Sequence, residues 1–213
     1  HVGNLLHNMF EFIDYSDSNA ERIKNAVSDS LRIFLPQYKI AFQEPLEKMI
    51  TTVLSTEIEI QGTSFKLNEV GNESKKTELE FDFMTNKFNV EALNVLREDL
   101  PEGFDMHTRC NEEIKGVLTG FVDLFFENNG KYYILDWKSN FLGDEIEDYS
   151  KDKLKHAMSD SNYHLQYLIY SLAIKKFLET KLNEFDYEKH FGGVIYLFLR
   201  GVRENSQSGV FTY

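Results

Sequence analysis

Three side chains in the second half of the chain have the types and spacing to do chemistry together: Asp123, Asp136 and Lys138. Asp136-Trp137-Lys138 closes the apolar run Tyr132-Tyr133-Ile134-Leu135, and Asp123 lies in an alternating stretch from Gly116 to Glu127. Between the two stands Asn129-Gly130, a pair suited to a type I′ hairpin turn because both central residues need positive φ. With those two residues as the turn, Asn128 pairs with Lys131, and counting outward brings Asp123 opposite Asp136. Directly opposed side chains have Cβ atoms roughly 4.5–5.5 Å apart. Two carboxylates that close repel unless one is protonated or a cation lies between them. A hard divalent ion such as Mg²⁺, which prefers oxygen ligands, answers that need. Lys138 shares the face of Asp136, while Trp137 points to the other side, its backbone carbonyl still available to a metal. Two carboxylates, a metal and a lysine at one strand end suit phosphodiester hydrolysis. The ion polarises the phosphate and acidifies water, and the ammonium group orients that water or stabilises developing negative charge.

Acid-x-Lys alone carries little weight, since Glu73-Ser74-Lys75, Glu113-Ile114-Lys115 and Glu179-Thr180-Lys181 also match it. What distinguishes Asp136-Trp137-Lys138 is its place at the end of an apolar strand, with a second acid registered across a hairpin. The plain alternative is a solvated strand end carrying a charge pair, and a turn of another size would throw Asp123 to the opposite face. Gln166 and Tyr170, four apart on one helical face and accompanied by Tyr163, form either a helix surface with half-buried aromatics or a polar ridge toward a phosphate or base. His7 lies away from the apolar stripe of its own helix, beside Gly3, Glu11 and Asp14, which by periodicity alone makes it a solvated surface residue. Lys151, Lys153, Lys155 and His156, with Lys175 and Lys176, are either a basic strip or simply a solvated face.

The elements that must position these groups follow from periodicity. Val2, Leu5, Leu6, Met9, Phe10 and Ile13 mark an amphipathic helix. A second helix carries Ile23, Val27, Leu31 and Phe34, with Ser18 and Glu21 spaced as a capping box, and ends before Pro36. Pro45 suits the first turn of a third helix bearing Leu46, Met49, Ile50 and Val53. Strand-like pieces follow at Glu57 to Ile60 and Thr77 to Met84. The latter has Leu79, Phe81 and Phe83 on one face and Glu78, Glu80 and Asp82 on the other. A short helix at Val90 to Arg97 and a loop through Pro101 and Gly103 precede the hairpin. Helices at Asp148 to Met158 and Asn162 to Leu178 come after it, and Gly192 to Leu199 reads as a buried strand. The expected fold class is α/β, with a helical segment over 1–56 and an α/β core over 57–213 in one domain.

Composition narrows the setting. The 213 residues are 42% hydrophobic and 27% charged, the mixture of a globular chain rather than a disordered one. No apolar run approaches the roughly 18 residues of a membrane span. The chain opens on an amphipathic stretch rather than a basic, then apolar, leader. The single cysteine, Cys110, excludes an internal disulfide and fits a reducing, cytoplasmic compartment. With 23 Lys+Arg against 35 Asp+Glu the net charge is −12, which repels a phosphate backbone unless cations cluster locally or a metal intervenes.

Several blocks, in order, resemble the C-terminal nuclease domain of the RecB family, the beta subunits of exodeoxyribonuclease V (RecBCD), within the PD-(D/E)xK, restriction-endonuclease-like superfamily. They are Gly3 to His7, Gly120-Phe121-Val122-Asp123-Leu124, Tyr133 to Asn140, Leu165-Gln166-Tyr167 with Tyr170, and Phe191 to Gly201. The resemblance implies a mixed central sheet flanked by helices and a Mg²⁺-dependent deoxyribonuclease of double-strand break repair and recombination, with Ca²⁺ or Mn²⁺ able to enter the site. It implies that Asp123, Asp136, His7 and the Trp137 carbonyl are metal ligands and that Lys138 is the catalytic lysine. It further implies that Gln166 and Tyr170 form the helix motif after the catalytic strand and that Glu78, rather than Glu80, is the further acid. Trp137 departs from the commoner tyrosine without consequence for a carbonyl ligand. No phosphate-binding loop of a helicase occurs here, so the resemblance implies a module of a longer helicase-nuclease, receiving single strands of DNA from a motor. Its implied partners are RecC-like and RecD-like subunits and RecA. A module fed in this way needs no basic surface, binds DNA weakly alone and cuts slowly. The rival expectations are a stand-alone PD-(D/E)xK nuclease and a catalytically silent scaffold for a partner subunit or RecA.

Overall fold

Amphipathic periodicity in the first third of the chain becomes three helices: α1 (Val2–Phe12), α2 (Ala20–Phe34) and α3 (Lys39–Ser55). The computed structural model describes residues 2–89 and 113–213, with side chains throughout except at 83–89 and 113–118. The expected helix at Val90 to Arg97, the loop through Pro101 and Gly103, and Cys110 lie outside the described residues. Three helix starts differ from expectation, the helix expected from Asp148 beginning at Lys151. The cap of α2 is Asn19, whose side chain accepts from the Arg22 N–H, while the Ser18 hydroxyl donates to the Tyr15 carbonyl instead. Helix α3 begins at Lys39, so Pro45 stands inside it. Its missing N–H removes one bond from an exposed flank of the helix.

A hairpin follows, β1 (Glu57–Ile60) with β2 (Thr63–Lys66). Its second strand is too short and polar to stand out in sequence. The main sheet has five strands in the order β3 (Lys75–Asn89), β4 (Glu113–Asn128), β5 (Lys131–Lys138), β6 (Phe191–Phe198) and β7 (Val210–Thr212). β5 and β6 run parallel and the other neighbours antiparallel, so the sheet is mixed. The parallel step requires a crossover, supplied by α4 (Lys151–Asp160) and α5 (Tyr163–Lys181), with a short turn of helix, α6 (Tyr187–His190), before β6.

Helices cover both faces. Under α1–α3 lie Leu124, Phe126, Tyr133, Leu135, Trp137, Ile195 and Leu197. Under α4 and α5 lie Val122, Phe125, Ile134, Val194, Tyr196 and Phe198. A strand buried on both sides should be continuously apolar, and every residue of β6 is indeed buried. The arrangement is a restriction-endonuclease-like α/β core behind an N-terminal helical segment.

Candidate metal and catalytic site

The hairpin forms with the expected register. Asn129 and Gly130 have φ of 53° and 79°, and the β4–β5 ladder runs from Asn128↔Lys131 to Leu124↔Leu135. One step further the ladder gives way to chemistry, because the Asp123 carboxylate accepts the Trp137 N–H at 2.8 Å. On the other side of β4, Thr77 pairs with Leu124 and Leu79 with Val122, which leaves Glu78 opposite Asp123. Glu78 has φ of 49°, a left-handed conformation that interrupts strand alternation. Its effect is visible in the core. Leu124 faces α1–α3, yet Val122, which regular alternation would place with it, faces α4–α5 together with Leu79 and Phe81. Of the two neighbouring glutamates, both exposed, Glu78 is the one at the break, by its left-handed φ and its place opposite Asp123.

His7 reaches the same spot from above. The Trp137 ring stacks on Phe10 with centroids 4.2 Å apart, which fastens α1 across the strand end. Such a contact contributes about 0.5–1.5 kcal/mol beyond area burial. The fastened helix lays its polar flank over β4, and His7 Nδ1 lies 3.4 Å from Asp123 Oδ1. Ligand atoms of His7, Glu78 and Asp123 all lie within 4.8 Å of one another. Burial lowers the pKa of His7, but hydrogen bonding and charge from Asp123, with Asp136 and Glu78 beyond, outweigh it and raise the value above normal. The Glu78 carboxyl is also raised, by burial and by the Asp123 charge. One imidazole nitrogen and two carboxylates converging this closely form a donor set that fits a divalent cation.

Asp136 and Lys138 form the second half of the site. Both are buried, and Lys138 Nζ lies 2.6 Å from Asp136 Oδ2. Burial and the charge of Asp123 push the Asp136 carboxyl up to about 6, against the opposing pull of Lys138. Gln166 on α5 ties the pair down. Its Oε1 accepts from Lys138 Nζ at 2.9 Å, and its Nε2 donates to Asp136 Oδ1 at 2.8 Å and to the Tyr170 hydroxyl at 2.7 Å. Tyr170 in turn donates to the Phe121 carbonyl, two residues before Asp123. One amide thus uses both its donors and one acceptor lone pair to connect strand and helix. Tyr163 closes the pocket, its ring centroid 3.7 Å from Lys138 Nζ, a cation–π contact that sequence reading did not anticipate.

The structure therefore brings His7, Glu78 and Asp123 into one cluster, and Asp136, Lys138, Gln166 and Tyr170 into an adjoining network. Trp137 joins them through its N–H, and its ring is buried on the α1 side, as its strand parity predicts. The lysines of α4 and α5 stay outside. Lys151, Lys153, Lys175 and Lys176 are exposed, as is His156, and Lys155 lies 4.0 Å from Asp152.

Comparison with known proteins decides the family. Residues 1–212 match the family described as the PD-(D/E)XK nuclease superfamily. The chain belongs to this superfamily. It is homologous to RecB subunits of the RecBCD enzyme: 39% identical to that of Haemophilus influenzae and 34% to that of Escherichia coli K12, over 99% of this chain in each case. The RecB subunit of Borreliella burgdorferi is 34% identical over 96% of the chain. The chain spans only 17–18% of the length of these three relatives. The break at Glu78 and the amide clamp of Gln166 are the local features that bring these side chains together. Among the described helices none is long and apolar enough to cross a membrane.

Proposed function

We propose that this protein is a Mg²⁺-dependent deoxyribonuclease, the nuclease module of a RecB-type helicase-nuclease in double-strand break repair and recombination. The observation that carries the reading is the convergence of Glu78, Asp123 and His7 beside the Asp136–Lys138 pair in a chain of this superfamily. His7, Glu78, Asp123 and Asp136 would hold the ion, with the Trp137 carbonyl as a further ligand and Mn²⁺ or Ca²⁺ as substitutes. The metal supplies polarisation of a phosphoryl oxygen and acidification of water. Lys138, held by Asp136 and Gln166, points its ammonium group to orient the attacking water and to offset charge on the phosphoryl oxygens. Water adds to phosphorus, the P–O bond to the leaving sugar oxygen breaks, and that oxygen takes up a proton.

The relatives' name places them in RecBCD, and this chain is proposed to work as part of a longer polypeptide with RecC-like and RecD-like subunits and RecA. The acidic balance fits a module whose single-stranded substrate is delivered to it. A cleavage assay on single-stranded DNA with Mg²⁺, comparing the protein with Asp136→Ala and Lys138→Ala, tests the reading. Both variants should lose at least about 10³ in rate, a deficit within what transition-state charge stabilisation supplies. Equal residual cutting by all three would favour the scaffold.

A further inference from the structure

At the end of the sheet that carries Asp136 and Lys138, an open groove of about 820 Å³ lies between α3 and the turn after β6. Pro45, Lys48, Met49 and Thr52 present one face of α3 to it, and Leu199 to Glu204 form the other wall. Three cations, Lys48, Arg200 and Arg203, line the groove with a single acid, Glu204, in a chain whose net charge is −12. Among the described residues no carboxylate lies within ion-pair distance of any of the three. All three are exposed, and their charge is offered to solvent.

The groove is joined to the proposed catalytic strand through the backbone. The Lys138 carbonyl accepts the Leu199 N–H at 3.0 Å, and the Ser139 carbonyl accepts Arg200 Nε at 3.1 Å. Arg200 is therefore tied to Ser139, the residue that follows Lys138. Its guanidinium carbon lies 5.8 Å from the ring centroid of Phe141, which is 61% exposed. Arg203 is fixed as well, donating through Nη1 to the Arg200 and Val202 carbonyls at 2.9 Å. Oriented cations beside an exposed aromatic ring are the combination that holds single-stranded nucleic acid: phosphates on the cations, a base on the ring.

We infer that this groove is the binding track for the single strand of DNA flanking the scissile phosphate, with Lys48, Arg200 and Arg203 holding phosphates and Phe141 stacking a base. The inference rests on the nuclease reading for its direction, from Lys138 across the end of β6 toward α3. It also places a local cluster of three cations on a chain whose net charge is −12.

The test is binding of fluorescent dT12 to the protein with Ca²⁺ present, followed over a range of salt, beside Mg²⁺-dependent cleavage of a small diester, thymidine 5′-p-nitrophenyl phosphate. The small diester reaches the metal site but not the groove. Lys48→Gln/Arg203→Gln should weaken dT12 binding about tenfold and flatten the log–log salt slope by about 1.4, at roughly 0.7 per single-strand phosphate. Cleavage of the diester should be unchanged. Lys48→Gln alone, at an exposed helical position, should remove about 0.7 of slope, and Phe141→Ala should weaken binding about fivefold without changing the slope. Lys48→Arg/Arg203→Lys should bind as the parent does. An unchanged affinity and slope in the two glutamine variants would overturn the groove while leaving the nuclease standing. Loss of dT12 binding in those variants, in a parent that does not cleave the diester, would overturn the nuclease while leaving the groove standing.

Discussion

Gln166 holds Asp136 and Lys138 with one amide, so under the proposed function it is a positioning residue whose loss should be read in turnover. Gln166→Ala frees Lys138 Nζ and Asp136 Oδ1 from a shared partner. The expected result is a fall in kcat of about 10² with KM within about twofold, because misplacement of reacting groups by an ångström costs that much. Steady-state kinetics on single-stranded DNA check it. The same cluster sets a pH dependence. Asp136 titrates near 6, and His7 and Glu78 are both raised. Metal ligands must be deprotonated, so with Asp136 as a proposed ligand, lowering the pH through 6 should release the ion. Calorimetric titration with Ca²⁺ should show affinity about tenfold weaker at pH 5 than at pH 8 from Asp136 alone. In the metal-free protein the sign for stability is the reverse. The folded state keeps the Asp136 proton to about pH 6 while the unfolded chain loses it near 3.9, so this group's contribution to stability falls as pH rises from about 4 to 6.

At the scale of elements, the turn, the register and the parity of β5 follow from short-range rules, and those are the parts legible in sequence. Asn129-Gly130 specifies the hairpin and its register as far as Leu124↔Leu135, beyond which Asp123 meets the Trp137 N–H. Gly130→Val, which forces a β-branched residue to φ of 79°, should destabilise the protein by about 1–3 kcal/mol in urea unfolding. The buried run of β6 also reads directly, because a strand covered on both faces has no polar alternation to interpret. Other features depend on contacts between elements distant in sequence. His7 is a surface residue of α1 by periodicity, and only the Phe10–Trp137 stack turns that surface over Asp123. The left-handed Glu78 has no glycine to announce it, so two strands lose their alternation at a point where sequence reads a regular one. Pro45 reads as a helix start since proline suits a first turn, but the exposed flank of α3 tolerates its missing donor. The strands β2 and β7 have four and three residues, too few for a period to show.

At the scale of the whole molecule, an acidic body is proposed to act on a substrate that is itself a polyanion. The cluster of His7, Glu78 and Asp123 beside Asp136 concentrates negative charge, and a cation that neutralises it should stabilise the fold. At 100 times its dissociation constant a ligand of the folded state adds about 2.7 kcal/mol. For a chain of this size that corresponds to a rise in Tm of roughly 5–10 °C. Thermal unfolding with and without Ca²⁺ should show this rise, and Asp123→Asn should abolish most of it. The five-stranded sheet brings the site together from α1, β3, β4, β5 and α5, so the complete constellation exists only in the folded whole.

The most direct measurement is anomalous diffraction from a crystal of this protein soaked in Mn²⁺. The account predicts a peak about 2.0–2.3 Å from an Asp123 oxygen and shared with Asp136 and with His7 or Glu78, in the range of hard-cation–oxygen bonds. Saturating Mn²⁺ that leaves these carboxylates without a peak, or that binds only elsewhere, would contradict it.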